Sequence, residues 1–224
     1  MKEYAIIVAG GKGTRMKQTI SKQFIELNGL PILMHTINAF KSYSNDVEII
    51  LVLPKDEIAI WEELCRKFNY TTEVKVTTGG DTRFQSVKNG LNVISDQKGM
   101  VAIHDGVRPL VGKDIIGASY RLAAVHKSAV AAVRLKESIR ITDQDTTKAV
   151  DRSDFRMIQT PQTFDLALIK KAYEIKEEPS LTDDASVAER SGHKISLFEG
   201  SYSNIKITTP EDLIIAEALI NNQS

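Results

Sequence analysis

A run of small residues and cations follows the first apolar stretch of the chain: Ala9-Gly10-Gly11-Lys12-Gly13-Thr14-Arg15-Met16. Glycines let a backbone turn sharply and bring its N–H groups close to an anion, so this loop is a candidate phosphate cradle. Arg15 and Lys22 flank it and can point back at a triphosphate. Fixed cations of that kind stabilise the charge that develops at a transferring phosphoryl centre. Two familiar phosphate loops do not fit. A P-loop needs Ser or Thr after Gly-Lys, but Lys12 is followed by Gly13; the dinucleotide fingerprint needs a third glycine, which would fall at Met16. A plain tight turn with solvated cations is the competing reading of the same residues.

A second candidate is Asp105, which closes the short apolar stretch Val101 to His104. A carboxylate there suits Mg²⁺, which prefers oxygen ligands and keeps several waters while holding phosphates. It equally suits a loop aspartate capping the backbone of Val107 or Arg108. Arg108 is held extended by Pro109 and can bind a phosphate or pair with a carboxylate. His104 reads as structural. Cys65 is the only cysteine. It lies in an apolar helical stretch, reads as packing, excludes an intrachain disulfide and fits a reducing interior.

The elements that must position these groups alternate along the chain. Apolar strands are expected at Tyr4 to Ala9, Val47 to Leu53, Val74 to Thr78, Val101 to His104 and Ser128 to Val133. Helices are expected at Pro31 to Phe40, from Pro54 onward, at Thr82 to Ile94, Asp114 to His126 and Pro210 to Ile220. The alternation predicts an α/β fold, a Rossmann-like doubly wound and mostly parallel sheet, with ligands at the carboxyl ends of the strands. Both the Gly10 loop and the Asp105 loop fall at such ends. From Arg134 to about Phe155 the pattern changes to two polar strands around a turn at Thr142 to Thr146. Such a hairpin buries little by itself and is expected to project as an arm onto a partner subunit.

The chain has 224 residues, with Lys plus Arg equal to Asp plus Glu at 29 each. This fits one domain spanning 1–224, with the arm at about 134–155. A balanced charge supplies no bulk basic field for nucleic acid or an acidic membrane. No apolar run approaches the ~18 residues of a membrane span, and Met1 to Gly10 is too short for a secretion signal. The expected location is the cytoplasm.

The motifs, taken in order, are specific. They run from Gly10-Gly11-Lys12-Gly13-Thr14-Arg15-Met16 and Lys22-Gln23-Phe24 to Gly79-Gly80-Asp81-Thr82-Arg83-Phe84-Gln85-Ser86-Val87 and His104-Asp105-Gly106-Val107-Arg108-Pro109. Thr160-Pro161-Gln162-Thr163-Phe164, Thr182-Asp183-Asp184-Ala185-Ser186 and Asn204-Ile205-Lys206-Ile207-Thr208 complete them. Together they resemble the nucleotidyltransferases of sugar and polyol phosphates, and within these the 2-C-methyl-D-erythritol 4-phosphate cytidylyltransferase family of the non-mevalonate isoprenoid pathway. The resemblance covers nearly the whole chain.

That resemblance implies a transfer of CMP from CTP to a polyol phosphate, with Mg²⁺ and release of pyrophosphate. It implies catalytic roles for Arg15 and Lys22. It places CTP at Ala9, Gly10, Gly11, Gly13, Thr14, Gly80, Asp81, Ser86, Asp105, Gly106 and Arg108, with Asp105 also on the metal. A cytosine edge offers an amine donor and adjacent acceptors, which backbone groups at Gly80 and Asp81 and the Ser86 hydroxyl could match; a helical Ser86 bonding its own backbone is the alternative. The acceptor phosphate is expected at Ser138, Arg152, Thr182 and Lys206. Alternation puts Lys206 on the face opposite Ile205 and Ile207. Arg152, on the arm, is expected to act in its own or a partner's site, within a homodimer that exchanges arms.

Two residues depart from the family pattern: Ser21 stands where proline is usual, and Gly106 where alanine is usual. Ribitol 5-phosphate cytidylyltransferases share most of these motifs and are the nearest alternative. A sugar-1-phosphate nucleotidylyltransferase and a non-catalytic nucleotide-binding module are more distant ones. Arg15, Lys22 and Asp105 are all present, which argues against the module.

Overall fold

The computed structural model describes residues 1–10 and 20–222. Gly11, Gly13, Thr14 and Arg15 of the expected site lie outside the described residues. In chain order the strands are β1 (Glu3–Val8), β2 (Glu26–Leu27), β3 (Leu30–Pro31), β4 (Glu48–Leu53), β5 (Lys75–Thr78), β6 (Met100–Asp105), β7 (Ser128–Arg134), β8 (Ile139–Asp143), β9 (Thr146–Val150), β10 (Arg156–Asp165) and β11 (Leu197–Glu199). The α-helices are α1 (Ile32–Tyr43), α2 (Ile58–Lys67), α3 (Arg83–Val93), α4 (Lys113–His126), α5 (Leu166–Ala172), α6 (Asp184–Arg190) and α7 (Pro210–Asn221).

Seven strands form one sheet in the order β11-β7-β10-β6-β1-β4-β5. β6, β1, β4 and β5 run parallel, while β10 runs antiparallel to both β6 and β7. The expected mostly parallel α/β sheet is therefore present. Its antiparallel strand β10 was not expected, because Arg156 to Asp165 lacks an apolar run.

Alternate residues of β1 serve opposite faces, as a strand buried on both sides requires. Ala5 and Ile7 pack with Ile37, Trp61 and Tyr120 of α1, α2 and α4. Tyr4 and Ile6 pack with Val87, Ile169 and Val187 of α3, α5 and α6. This double burial fixes where β1 and β6 end, and so where the loops after Val8 and Asp105 begin.

β8 and β9 form a separate two-stranded hairpin. Asp143 pairs with Thr146, so the turn is only two residues, with Gln144 at φ +46°. Eight of its ten strand residues are exposed and Ile139 and Val150 are half-buried, which is the sparse burial that a polar alternating sequence dictates. Among the described residues no helix is long and apolar enough to cross a membrane.

Candidate active site

A cleft of about 210 Å³ opens at the carboxyl ends of β1 and β6. Ala9, Gly10, Lys22, Gly80, Asp81, Ser86, Asp105 and Lys206 all line it. A second recess adjoins it and contains Arg108, Gln159, Thr160 and Thr182. Arg83, Asp105 and Lys206 line both, so a charged wall separates the two spaces.

Asp105 is the centre of that wall. Its Oδ2 accepts from Arg108 Nε and faces Lys206 Nζ, each at 3.1 Å. Its backbone N–H donates to Thr160 Oγ1 at 3.1 Å. Burial acts to raise its pKa, but the cations of Lys206, Arg83 and Arg108 outweigh this and hold the carboxyl well below the ordinary carboxylate range. The carboxylate does not cap Val107 or Arg108. Arg108 pairs with it and donates from NH1 to Asn204 O at 2.8 Å. Asn204 is itself fixed by Nδ2 donating to Thr160 O at 2.8 Å. Lys206 is exposed while Ile207 beside it is buried, the alternation expected of them, although the segment is not a regular strand.

Arg83 stands on the first residue of α3. NH1 and NH2 donate to Asp184 Oδ1 and Oδ2 at 2.9 and 2.6 Å, and Tyr173 OH donates to Oδ1 at 2.6 Å. Asp184 is fully buried, so this fork satisfies a charge that water cannot reach. Burial alone would lower the Arg83 pKa, but Asp184 outweighs it and the guanidinium stays charged. Thr82 caps α3, its side chain accepting from Gln85 N–H, which turns the positive end of the helix to the cleft.

The Gly80 loop differs in part from expectation. Ser86 does not bond the backbone of its own helical turn. Its Oγ accepts from Gly80 N–H at 3.1 Å, and Asp81 N–H donates to Gln85 Oε1 at 3.0 Å. Ser86 Oγ also donates to Gly80 O at 3.4 Å, so these bonds shape the loop on both its N–H and carbonyl sides.

On the other side, Gln23 Nε2 donates to Ala9 O at 2.9 Å and to Glu57 Oε2, and Ser21 Oγ donates to Glu57 Oε1. Ser21, where the family pattern has proline, is thus held by a side chain. His104 is fully buried with Nε2 3.2 Å from Arg108 O, and burial pushes its pKa down to about 4, which agrees with a structural role.

Three expected residues are placed elsewhere. Gly106 lines neither space. Its N–H donates to Val8 O at 2.9 Å and its carbonyl accepts from Thr36 Oγ1 at 3.0 Å, so both backbone groups are used in joining β1, β6 and α1. Ser138 and Arg152 are exposed beside the hairpin, with Arg152 NH1 donating to Lys136 O. Sequence reasoning missed Glu57, Thr160 and the Arg83–Asp184–Tyr173 group. The quoted motifs contain Thr160, Arg83 and Asp184, but nothing local shows that residues 83 and 184 meet.

A sequence model of the 2-C-methyl-D-erythritol 4-phosphate cytidylyltransferase family matches residues 4–222. The chain belongs to this family. It is 45% identical over 220 residues to the 2-C-methyl-D-erythritol 4-phosphate cytidylyltransferase of Bacteroides thetaiotaomicron, covering 98% of this chain and 100% of the relative. Its counterpart in Porphyromonas gingivalis is 48% identical over 223 residues, covering 99% of each. Among solved structures, the 4-diphosphocytidyl-2C-methyl-D-erythritol synthase of Anaerococcus prevotii superposes with a TM-score of 0.83 at 32% identity, over 98% of this chain and 96% of that one. Membership of the cytidylyltransferase family fits a wall of cations at the carboxyl ends of the strands, where a nucleotide phosphate and a second anion can meet.

The donor set can be tested against Mg²⁺. Among the described residues no three His, Cys, Asp or Glu side chains cluster as a metal site. Asp81 and Asp105 both line the cleft, and Asp105 is the one held ionised by the cations of the wall. One carboxylate fits Mg²⁺, which takes its remaining ligands from substrate phosphates and water; it does not fit a metal caged by protein.

Proposed function

We propose that this protein transfers CMP from CTP to 2-C-methyl-D-erythritol 4-phosphate, giving 4-diphosphocytidyl-2-C-methyl-D-erythritol and pyrophosphate in isoprenoid precursor biosynthesis. The observation that carries the reading is the pair of adjoining recesses sharing Arg83, Asp105 and Lys206. A transfer between two phosphate-bearing substrates needs two anion sites with one reacting atom between them.

CTP occupies the cleft of Ala9, Gly10, Gly80, Asp81 and Ser86, with Gly11, Gly13 and Thr14 around its phosphates. The acceptor phosphate lies toward Lys206 and Thr182. Arg108, expected at CTP, lines this second recess and not the CTP cleft, and is read as an acceptor-side cation. An acceptor phosphate oxygen attacks the α-phosphorus; the new P–O bond forms as the bond to the β-phosphate oxygen breaks, and that electron pair leaves with pyrophosphate. A phosphate dianion is already a nucleophile, so no covalent enzyme intermediate is needed. Lys22 and Arg15 stabilise the charge at the five-coordinate phosphorus. Asp105 keeps Lys206 and Arg108 aimed at the boundary between the recesses. Mg²⁺, held by Asp105 and the phosphates, would neutralise triphosphate charge.

The hairpin is read as a dimer arm. Ile141 on it, and Phe155, Met157 and Ile158 beside it, are exposed, and apolar surface of that extent favours contact with a second copy. In a homodimer with exchanged arms, Ser138 and Arg152 reach the partner's acceptor site. The single cysteine is consistent with a cytoplasmic enzyme.

Acceptor labelled with ¹⁸O in its phosphate tests the chemistry. The expected result is labelled 4-diphosphocytidyl product beside unlabelled pyrophosphate. Label in the pyrophosphate, or no cytidyl product, would contradict it.

A further inference from the structure

Glu57 is a buried carboxylate that the proposed chemistry does not use. It ends the single 3-10 turn Lys55–Glu57 between β4 and α2 and is 8% exposed. Its two oxygens are taken by two side chains of one other segment, Ser21 Oγ on Oε1 and Gln23 Nε2 on Oε2. Lys22 is the residue between them. Gln23 Nε2 also donates to Ala9 O at 2.9 Å, where the glycine loop begins. Turning the Gln23 amide over would set its oxygen against a carboxylate and a carbonyl, so its two partners fix its orientation.

The carboxylate therefore grips the chain on both sides of Lys22 and ties it to the end of β1. Ser21 to Phe24 is one 3-10 turn with no side-chain cap; Phe24 anchors its far end in the core, and the side-chain bonds of Ser21 and Gln23 to Glu57 hold the stretch around Lys22. Ser21 is only half-buried, and without an acceptor its hydroxyl would turn to solvent.

We propose that Glu57 is a positioning residue for Lys22, fixing the Ser21–Gln23 segment so that the Lys22 ammonium stands in the cleft, without itself touching substrate. This rests on the catalytic reading of Lys22 given above.

Glu57→Gln keeps the side-chain shape but sets an NH₂ group against a donor. In the intact enzyme its kcat is expected to fall about 10-fold, with KM for CTP changed less than about 2-fold. Ser21→Ala, which removes one of two donors, is expected to cost about 3-fold in kcat. Melting temperatures identify a folding defect, and if Glu57→Gln does not fold, Ser21→Ala carries the test. The deciding measurement is a cycle with Lys22→Ala. A residue acting through Lys22 loses its effect once the ammonium is gone, so the Glu57 or Ser21 change should cost less than about 2-fold in that background. An equal loss in both backgrounds would overturn the proposal, because Glu57 would then act on the fold or on the loop. A full-speed Glu57→Gln beside a slow Lys22→Ala overturns it alone, whereas a full-speed Lys22→Ala overturns the role of Lys22 as well.

Discussion

The cleft wall and the hairpin are built from the same kinds of residue and behave in opposite ways. Around Asp105 each charged group answers another: the buried Arg108 and the exposed Lys206 on the buried Asp105, and the half-buried Arg83 on the buried Asp184. On β8 and β9, Arg140, Asp143 and Lys148 are exposed, and the hairpin belongs to a sheet of its own. A charge confined in low dielectric is felt strongly by its neighbours, while one in water is screened. Substitutions in the wall should therefore change chemistry or stability sharply. Substitutions in the hairpin should change little until a second copy is present.

The largest expected effect is on turnover. Lys22→Ala should lower kcat by about 10²–10³-fold while the melting temperature stays close to wild type, since the lysine is outside the core. Steady-state kinetics beside a thermal melt checks both halves. Next is Arg83→Ala, which leaves Asp184 buried with only the Tyr173 hydroxyl as partner. Denaturant unfolding should show a loss of about 3 kcal/mol.

Gly106→Ala tests how tightly the ends of β1 and β6 are joined. A Cβ there would meet Ala9 Cβ at 2.9 Å, Leu33 Cδ1 at 3.1 Å and Val8 O at 3.2 Å. Part of that contact is backbone, so a cost of about 2 kcal/mol is expected by denaturant unfolding, with a rise in KM for CTP as Ala9 shifts.

His104, beneath the wall, gives a pH-dependent effect. Burial lowers its folded pKa to about 4, against an ordinary value near 6.5. Between those values the unfolded chain binds a proton that the folded one does not, so stability falls as pH drops from about 6.5 toward 4. Unfolding midpoints over that range should slope less in His104→Gln. The smallest effect belongs to the hairpin. Ile141→Ser should change stability by less than about 0.5 kcal/mol in dilute protein, while sedimentation shows weakened self-association.

Much of this was legible in the residues. The runs at Tyr4 to Ala9, Val47 to Leu53 and Val101 to His104 can be buried on both faces only in a central sheet, and they are. Asp105 and Lys22 reach the cleft because each follows or flanks the end of such a strand. β10 was not legible, because its buried Gln159, Thr160, Gln162 and Thr163 look polar in sequence. Their partners, Ser201, Asn204, Asp183 and Ser119, come from distant segments. Arg83 and Asp184 are 101 residues apart, and their pairing exists only once α3 and α6 share a face of the sheet. Gly106 was expected at the nucleotide from the family resemblance. The backbone turns there, and its polar groups are used to close β6 against β1.

Pyrophosphate release from CTP and Mg²⁺ tests the assigned reaction most directly, with 2-C-methyl-D-erythritol 4-phosphate, ribitol 5-phosphate or no acceptor supplied. Strong release with the first alone is the predicted result. Release with ribitol 5-phosphate instead would contradict the acceptor assignment, and silence with both would contradict the transfer itself.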